Sequence, residues 1–404
     1  MKYFAHPATI QRLSNSELDM VFLVGGFTGF LNFGDVVQLQ GAIRWHQGCA
    51  PAPLLCAFIH PRSVVKGIQL SELSSLFNME DWIFFSYPGE EQETFLELFD
   101  QDIKPFTLDW IQSPVKVHFY GSGRLNRYWG TRTLKLLDDL LGKVSRKYYL
   151  ISGQQVSLDF VEAFVDHLQV QKPTLIGCRD QSSLRALGAH NQKAHYSGDD
   201  SLEVLRLDRG EAAHGSKKKN GWGFNYRVTT FAGNMPDMIG DAKDKNSSLQ
   251  VFKDMVSGLA VSGKMFNLES FGYPERQAVD IERVPALKKW YLEAETLNLV
   301  EAMMENRLSE VVRVMMNLRF AVVMSYHLAL FLYILEVPVY LLSYNDYYRQ
   351  KREGIDQGQE SLGDFLTQRS RMGWLSRQNC WLEDALLKRE RWLNEHLKCL
   401  SGKG

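Results

Sequence analysis

The segment from Arg319 to Tyr344 constrains the fold more than any other stretch of this chain. It reads Arg319-Phe-Ala-Val-Val-Met-Ser-Tyr-His327-Leu-Ala-Leu-Phe-Leu-Tyr-Ile-Leu and, after Glu336, Val-Pro-Val-Tyr-Leu-Leu-Ser-Tyr344. The apolar run before Met324 predicts a strand, Leu328 to Leu335 a helix, and Val337 to Leu342 a second strand. Strand, helix and strand in that order form a βαβ unit, the crossover that parallel strands require. His327 falls where the first strand ends and the helix begins. Ligands of open α/β sheets bind at such places, and free backbone N–H groups with the helix dipole favour anions there. A titratable side chain at that turn points to an anionic substrate.

The first half of the chain alternates in the same way. Met20 to Gly25 predicts a strand, followed by a glycine-rich loop and a helix from about Val36 to His46. Further strands are expected at Leu54–Ile59, Trp82–Tyr87, Val115–Tyr120, Tyr148–Ser152 and Pro173–Cys178, with helices at Thr133–Leu141 and Asp159–Leu168. Such alternation argues for parallel sheets in an α/β fold. At 404 residues the chain is long enough for two domains, each with its own core. Residues 206–221 (Arg-Leu-Asp-Arg-Gly-Glu-Ala-Ala-His-Gly-Ser-Lys-Lys-Lys-Asn-Gly) are polar and without periodicity, and read as a linker. That divides the chain into a domain over 1–205 and a second over 222–404. Asp237–Ser248 and Lys351–Glu360 read as surface loops. Leu362 to Leu400 reads as helix, with Trp374, Trp381, Leu382, Leu386, Leu387, Trp392 and Leu393 forming an apolar packing stripe.

A formal net charge of −1 gives no basic excess for counterion release, so no nucleic-acid partner is expected. The five cysteines, Cys49, Cys56, Cys178, Cys380 and Cys399, form no CxxC pair. Neither a metal site nor a disulfide framework is indicated, and a reducing cytoplasm fits that pattern. The N-terminus lacks the charged-then-apolar order of a signal peptide. The apolar window Phe320–Leu342 holds His327, Glu336 and Pro338, which argues against a membrane span, although peripheral contact with a membrane is left open.

Gly25-Gly-Phe-Thr-Gly29-Phe-Leu-Asn32-Phe-Gly34-Asp35 joins the first strand to its helix. Its glycines allow a ligand to approach the backbone, and Asp35 is placed to cap the helix or accept a proton. It matches neither the dinucleotide fingerprint nor the P-loop. Cys178-Arg179-Asp180 follows a strand and precedes a helix. Asp180 is expected at an N-cap, Arg179 in an internal ion pair, and Asp199-Asp200 in a turn.

Several segments, in order, resemble the polysaccharide pyruvyl transferase family. They are Asn32-Phe-Gly34-Asp35, Gly121-Ser-Gly123-Arg-Leu-Asn126, Ser152-Gly-Gln154-Gln155, Cys178-Arg179-Asp180, Ser197-Gly-Asp199-Asp200, Asn225-Tyr-Arg227 and Ser325-Tyr-His327. The resemblance spans roughly Met20 to Lys351. Many members carry arginine two residues before the histidine and lysine after the following strand's tyrosine. Here Ser325 and Tyr347 stand there, and the chain is similar to a branch ending in Tyr347-Tyr348-Arg349-Gln350-Lys351.

The resemblance implies two Rossmann-like domains facing each other across a cleft, as in GT-B glycosyltransferases, with C-terminal helices. It implies transfer of the enolpyruvyl unit of phosphoenolpyruvate to two sugar hydroxyls as a ketal, in surface or exopolysaccharide synthesis. No cofactor is expected beyond that donor. The acceptor would be a saccharide, lipid-linked or nucleotide-linked, met in the cytoplasm or at the inner membrane face. His327 would protonate the donor's methylene carbon and Asp35 would take protons from the acceptor. Arg227, Arg349 and Lys351 would grip carboxylate and phosphate, with Asn32, Gly34 and Gly121 shaping the pocket. Two other readings stay open. One is a GT-B-like glycosyltransferase using a nucleotide sugar, against which counts the lack of a clear pair of glutamates. The other is a non-catalytic binding protein, suggested by Ser325 and Tyr347.

Overall fold

The computed structural model describes residues 1–15, 17–26, 32–48, 52–60, 70–90, 103–206, 221–226, 263–272, 285–343, 346–357, 362–366 and 368–400. The chain forms two units. One is built from Met1–Leu31, Asp35–Leu202 and Leu387–Gly404, the other from Asn32–Gly34 and Glu203–Leu386.

In the first unit the strands are β1 (Lys2–Ala5), β2 (Met20–Val24), β3 (Leu54–Ile59), β4 (Asp81–Ser86), β5 (Lys104–Phe106), β6 (Val115–Phe119), β7 (Ser122–Leu125), β8 (Arg146–Val156), β9 (Leu175–Cys178) and β10 (His195–Tyr196). They form one sheet in the order β10-β9-β8-β6-β2-β3-β4-β1-β5, with β7 on β8. The run from β10 to β4 is parallel, while β1 pairs antiparallel with β4 and β5. Every residue of β2, β4 and β6 is buried, as expected of parallel strands covered on both faces.

The helices Phe33–Gln47, Leu70–Phe77, Gly130–Lys143, Val161–Gln171 and Gln181–Ala189 are the crossovers. On Gly130–Lys143 the residues Leu134, Leu137 and Leu141 recur at helical spacing and pack into the core with Phe22, Val117, Ile151 and Phe164. Tyr148–Ser152 was expected as a short strand, yet β8 runs on to Val156. The extension, Gly153-Gln-Gln-Val, lacks an apolar run because Ser152, Gln154 and Gln155 are buried polar groups.

The second unit holds β11 (Trp222–Asn225), β12 (Met265–Glu269), β13 (Glu295–Asn298), β14 (Ala321–Val323) and β15 (Val339–Leu341). The sheet is parallel throughout, in the order β13-β12-β11-β14-β15. The βαβ unit expected from the sequence is β14, the helix Tyr326–Ile334, and β15. Eight of that helix's nine residues, all but His327, are buried, so its apolar length is core rather than membrane span. Trp222, Phe224, Trp290, Phe320, Tyr340, Phe365 and Trp374 form a separate aromatic core.

Three expectations are revised. Lys351–Glu360 was read as loop, but the helix Asp346–Glu353 includes its start; Tyr348 and Arg352, four residues apart, supply a buried face that its charges concealed. The helix Gln368–Leu400 buries Trp374, Leu382 and Trp392 while Leu387 is 63% exposed, so the stripe is narrower than expected. From Leu387 onward that helix groups with the first unit, which shortens the second domain read as 222–404. The expected linker over 206–221 and the loop Asp237–Ser248 fall largely or wholly outside the described residues.

Candidate functional site

In the second unit, polar side chains gather at the carboxyl ends of β11 to β14. Asn225 ends β11; its Oδ1 accepts the Ser325 N–H at 3.1 Å, and its Nδ2 donates to the Leu268 carbonyl at 2.7 Å. One amide thus ties three neighbouring strand ends. Glu269 ends β12 and is buried, its carboxylate accepting Nδ2 of Asn267 at 3.0 Å and of Asn298 at 3.3 Å. Asn298 also caps the next helix, its Oδ1 accepting the Val300 and Glu301 N–H groups.

Past β14, Ser325 is the N-cap of the helix Tyr326–Ile334, its Oγ accepting the Leu328 N–H at 3.4 Å. His327 is therefore the second residue of that helix, at a strand's carboxyl end. Against it lies the segment Asn32–Gly34. Asn32 bridges Phe271, the Phe33 N–H donates to the Ser270 carbonyl at 2.8 Å, and the Phe33 ring stacks on Phe331 at 5.7 Å. The Gly34 Cα faces the His327 imidazole so closely that a Cβ there would fall on the ring. Any larger residue at 34 would force the ring to move, and the ring is flanked on one side by the Gly34 backbone and beside it by Tyr326, edge-on at 5.1 Å.

The first unit has its own polar edge. Asp35 lies in the first turn of Phe33–Gln47 and pairs with Arg124 of β7 at 3.4 Å. Asn32, whose Oδ1 accepts the Gly34 N–H at 3.0 Å, performs the capping that had been considered for Asp35. Deeper in this unit is a fully buried charged network. Asp200 accepts the Gly121 N–H at 2.6 Å and the Ser152 hydroxyl at 2.7 Å, and pairs with Arg389 at 2.9 Å. Asp199 pairs with Arg179 at 2.9 Å and accepts from Gln38 and Ser201.

Because the Ser152 proton goes to Asp200, its oxygen must accept from His118 Nε2 at 2.7 Å, which leaves His118 Nδ1 to accept from His46 Nε2 at 2.9 Å. Both rings are then neutral. Burial pushes His46 down to about 3, with Lys116 adding to it, and pushes His118 well below the usual histidine range.

No family model and no curated protein matches this sequence. Solved structures do match over nearly the whole length. The S. aureus protein MnaA, solved with UDP, gives a TM-score of 0.52 at 10% identity, covering 95% of this chain and 96% of that one. A UDP-N-acetylglucosamine 2-epimerase gives 0.51 at 12% identity, covering 96% and 97%. The fold is GT-B-like. Its two Rossmann-like units are built on the two sheets described above, the first parallel from β10 to β4 and the second parallel throughout.

Within this GT-B-like chain the structure brings His327, Gly34 and Asn32 together. Arg349 and Lys351 lie on the helix Asp346–Glu353 that follows β15, with Lys351 Nζ over the Tyr348 ring at 5.3 Å. Arg227 lies outside the described residues. Gly121, expected to shape the ligand pocket, gives its N–H to buried Asp200; a Cβ there would come within 2.9 Å of that carboxylate. Asp180 is the N-cap of Gln181–Ala189, accepting the Ser183 N–H at 2.8 Å, and Arg179 is in an internal ion pair, both as expected. The pair Asp199-Asp200 proves to be half of two buried ion pairs rather than simple turn residues.

Glu269 and Asn298 were not foreseen. Each ends a strand whose preceding residues are too few and too mixed to announce it. Among the described residues no group of three or more histidine, cysteine, aspartate and glutamate side chains could hold a metal ion. Nor is any described helix long and apolar enough to cross a membrane.

Proposed function

We propose that this chain is a saccharide-modifying transferase whose donor carries a phosphate leaving group, seated at the carboxyl edge of the second unit's sheet. The observation that carries the reading is His327, half-buried at the start of Tyr326–Ile334 and locked by Gly34. Residues at such an edge meet ligands in open α/β sheets, and the first turn of a helix favours anionic oxygens. An imidazole there can donate to a leaving phosphate or move a proton.

A nucleotide sugar is the donor best supported. Glu269 ends the second strand of this sheet, the position from which dinucleotide-binding folds accept ribose hydroxyls. MnaA, similar in fold, was solved with UDP. In this reading the bond from sugar C1 to phosphate oxygen breaks, an acceptor hydroxyl bonds to C1 and gives its proton to a base, and the nucleotide leaves.

Pyruvyl transfer from phosphoenolpyruvate is the second reading, favoured by a separate observation. Asn32-Phe-Gly34-Asp35 and Ser325-Tyr-His327, far apart in sequence, are two of the seven segments that carry the family resemblance, and their residues Gly34 and His327 lie against each other. Here His327 would protonate the methylene carbon, two sugar hydroxyls would add to the resulting cationic carbon, and inorganic phosphate would leave. Asp35 is the candidate base in either chemistry.

Incubating the full chain with a saccharide acceptor panel and either UDP-N-acetylglucosamine or phosphoenolpyruvate tests both. Acceptor-dependent UDP identifies the first reading and acceptor-dependent inorganic phosphate the second. Release of neither, from protein that is folded, contradicts the proposal.

A further inference from the structure

A second group of polar side chains lies at the carboxyl edge of the first unit, away from the buried network. His60 directly follows β3 and Tyr87 directly follows β4, so both project from adjacent parallel strand ends. His60 Nε2 meets Glu90 at 2.9 Å, and the same Glu90 carboxylate accepts the Tyr87 N–H at 2.9 Å. The His60 and Tyr87 rings stack at 5.6 Å, and the Arg132 guanidinium sits 5.5 Å over the Tyr87 ring. The Asp35–Arg124 pair stands on the same edge, since the helix Phe33–Gln47 follows β2 and β7 follows β6. Burial raises the Tyr87 phenol, and the charges of Arg124 and Arg132 oppose that shift.

These ion pairs differ from the buried ones. Side chains of Asp199, Asp200, Arg179 and Arg389 are at most 2% exposed, whereas Asp35 is 13%, Glu90 14%, His60 15% and Arg124 28%. They are enclosed enough to be ordered and open enough to be touched. A carboxylate only accepts and a guanidinium only donates. A cation–carboxylate pair therefore offers adjacent acceptor and donor sites, which matches two neighbouring hydroxyls of a sugar ring, each both donor and acceptor. The Asp35–Arg124 pair and the His60–Glu90 hydrogen bond, the latter braced by the stacked Tyr87 ring at the strand ends, make a set of donors and acceptors of the kind that orients a polar ligand.

We infer that Asp35–Arg124 and His60–Glu90, on the sheet edge that also carries Tyr87, form a saccharide subsite of the first unit that reads hydroxyl pairs of the acceptor ring. The subsite rests on the saccharide part of the proposed function and not on either donor. It makes Arg124 and Glu90 specificity-determining residues. Arg132 contributes by holding the Tyr87 ring.

Saturation-transfer NMR and titration calorimetry on the full chain test this with methyl glycosides of glucose, galactose, mannose and N-acetylglucosamine as probes. At least one glycoside is expected to bind, and Arg124→Gln and Glu90→Gln each to weaken it by about tenfold or more, the scale of one lost charged hydrogen bond. UDP and phosphoenolpyruvate binding, followed on the same variants, should stay at the wild-type level and report that they are folded. Glycoside affinity unaltered in both variants overturns the subsite while leaving the proposed function standing. A chain that binds UDP or phosphoenolpyruvate but none of the glycosides overturns it as well. Absence of all binding, glycoside and donor alike, removes the proposed function together with it.

Discussion

At the scale of single residues, the Gly34–His327 contact carries the functional argument. His327→Asn keeps the polarity and approximate size of the side chain but cannot shuttle a proton at neutral pH. It should abolish turnover while the melting temperature stays close to wild type, as activity assays and calorimetry on one preparation would show. Gly34→Ala should act through packing. Its methyl group would displace the imidazole, costing about 1–3 kcal/mol for an overpacked contact and lowering kcat with it. A fully active Gly34→Ala would mean that the position of the ring is unimportant. Sequence reading reached His327 because a histidine between a strand and a helix is conspicuous. It could not reach Glu269 or Asn298, whose significance depends on pairing across β12 and β13 that no local pattern encodes.

Element by element, what the sequence made legible follows a simple rule. β2 and β3 are uniform apolar runs, β6 sets Lys116 and His118 between Val115, Val117 and Phe119, and all three are readable almost to the residue, as is the βαβ unit around His327. The second half of β8 hides from the sequence because it carries buried polar groups that bond to other elements: Ser152 to Asp200, Gln154 to the Tyr120 carbonyl. That same network makes stability depend on pH. His46 and His118 are neutral when folded and their folded-state values lie below the ordinary one. The unfolded chain therefore binds the extra protons, and stability falls as pH drops below about 6.5.

By pH 5 each ring should cost about 2 kcal/mol relative to neutral pH. Denaturant titrations across that range would reveal it, and His118→Asn should reduce the slope; an unchanged slope would deny that the rings are held neutral. Arg389 faces Asp200 inside the same network, with its guanidinium over Trp45 and Trp392. Arg389→Met leaves that carboxylate without its counter-ion and should destabilise the first unit by about 3–5 kcal/mol, measured by chemical denaturation.

On the scale of the whole molecule, two largely parallel sheets with separate cores account for a GT-B-like fold at sequence identities near 10%. Alternating strand and helix patterns make the parallel α/β class legible, whereas the GT-B-like pairing of two such units is an expectation that comes from the family resemblance. The return of Leu387–Gly404 to the first unit is not legible, because it depends on contacts distant in sequence, Arg389 with Asp200 and Trp392 with Trp45 and Leu150. A chain ended at Leu386 should therefore lose the stability of the first unit, while the aromatic core around Trp222 and Trp290 still melts cooperatively in calorimetry. The central claim, that His327 serves a donor with a phosphate leaving group, is tested most directly by phosphorus-31 NMR of turnover. Wild-type chain with acceptor and either UDP-N-acetylglucosamine or phosphoenolpyruvate should generate UDP or inorganic phosphate, and folded His327→Asn should generate neither. Product formation by His327→Asn at the wild-type rate would contradict the account.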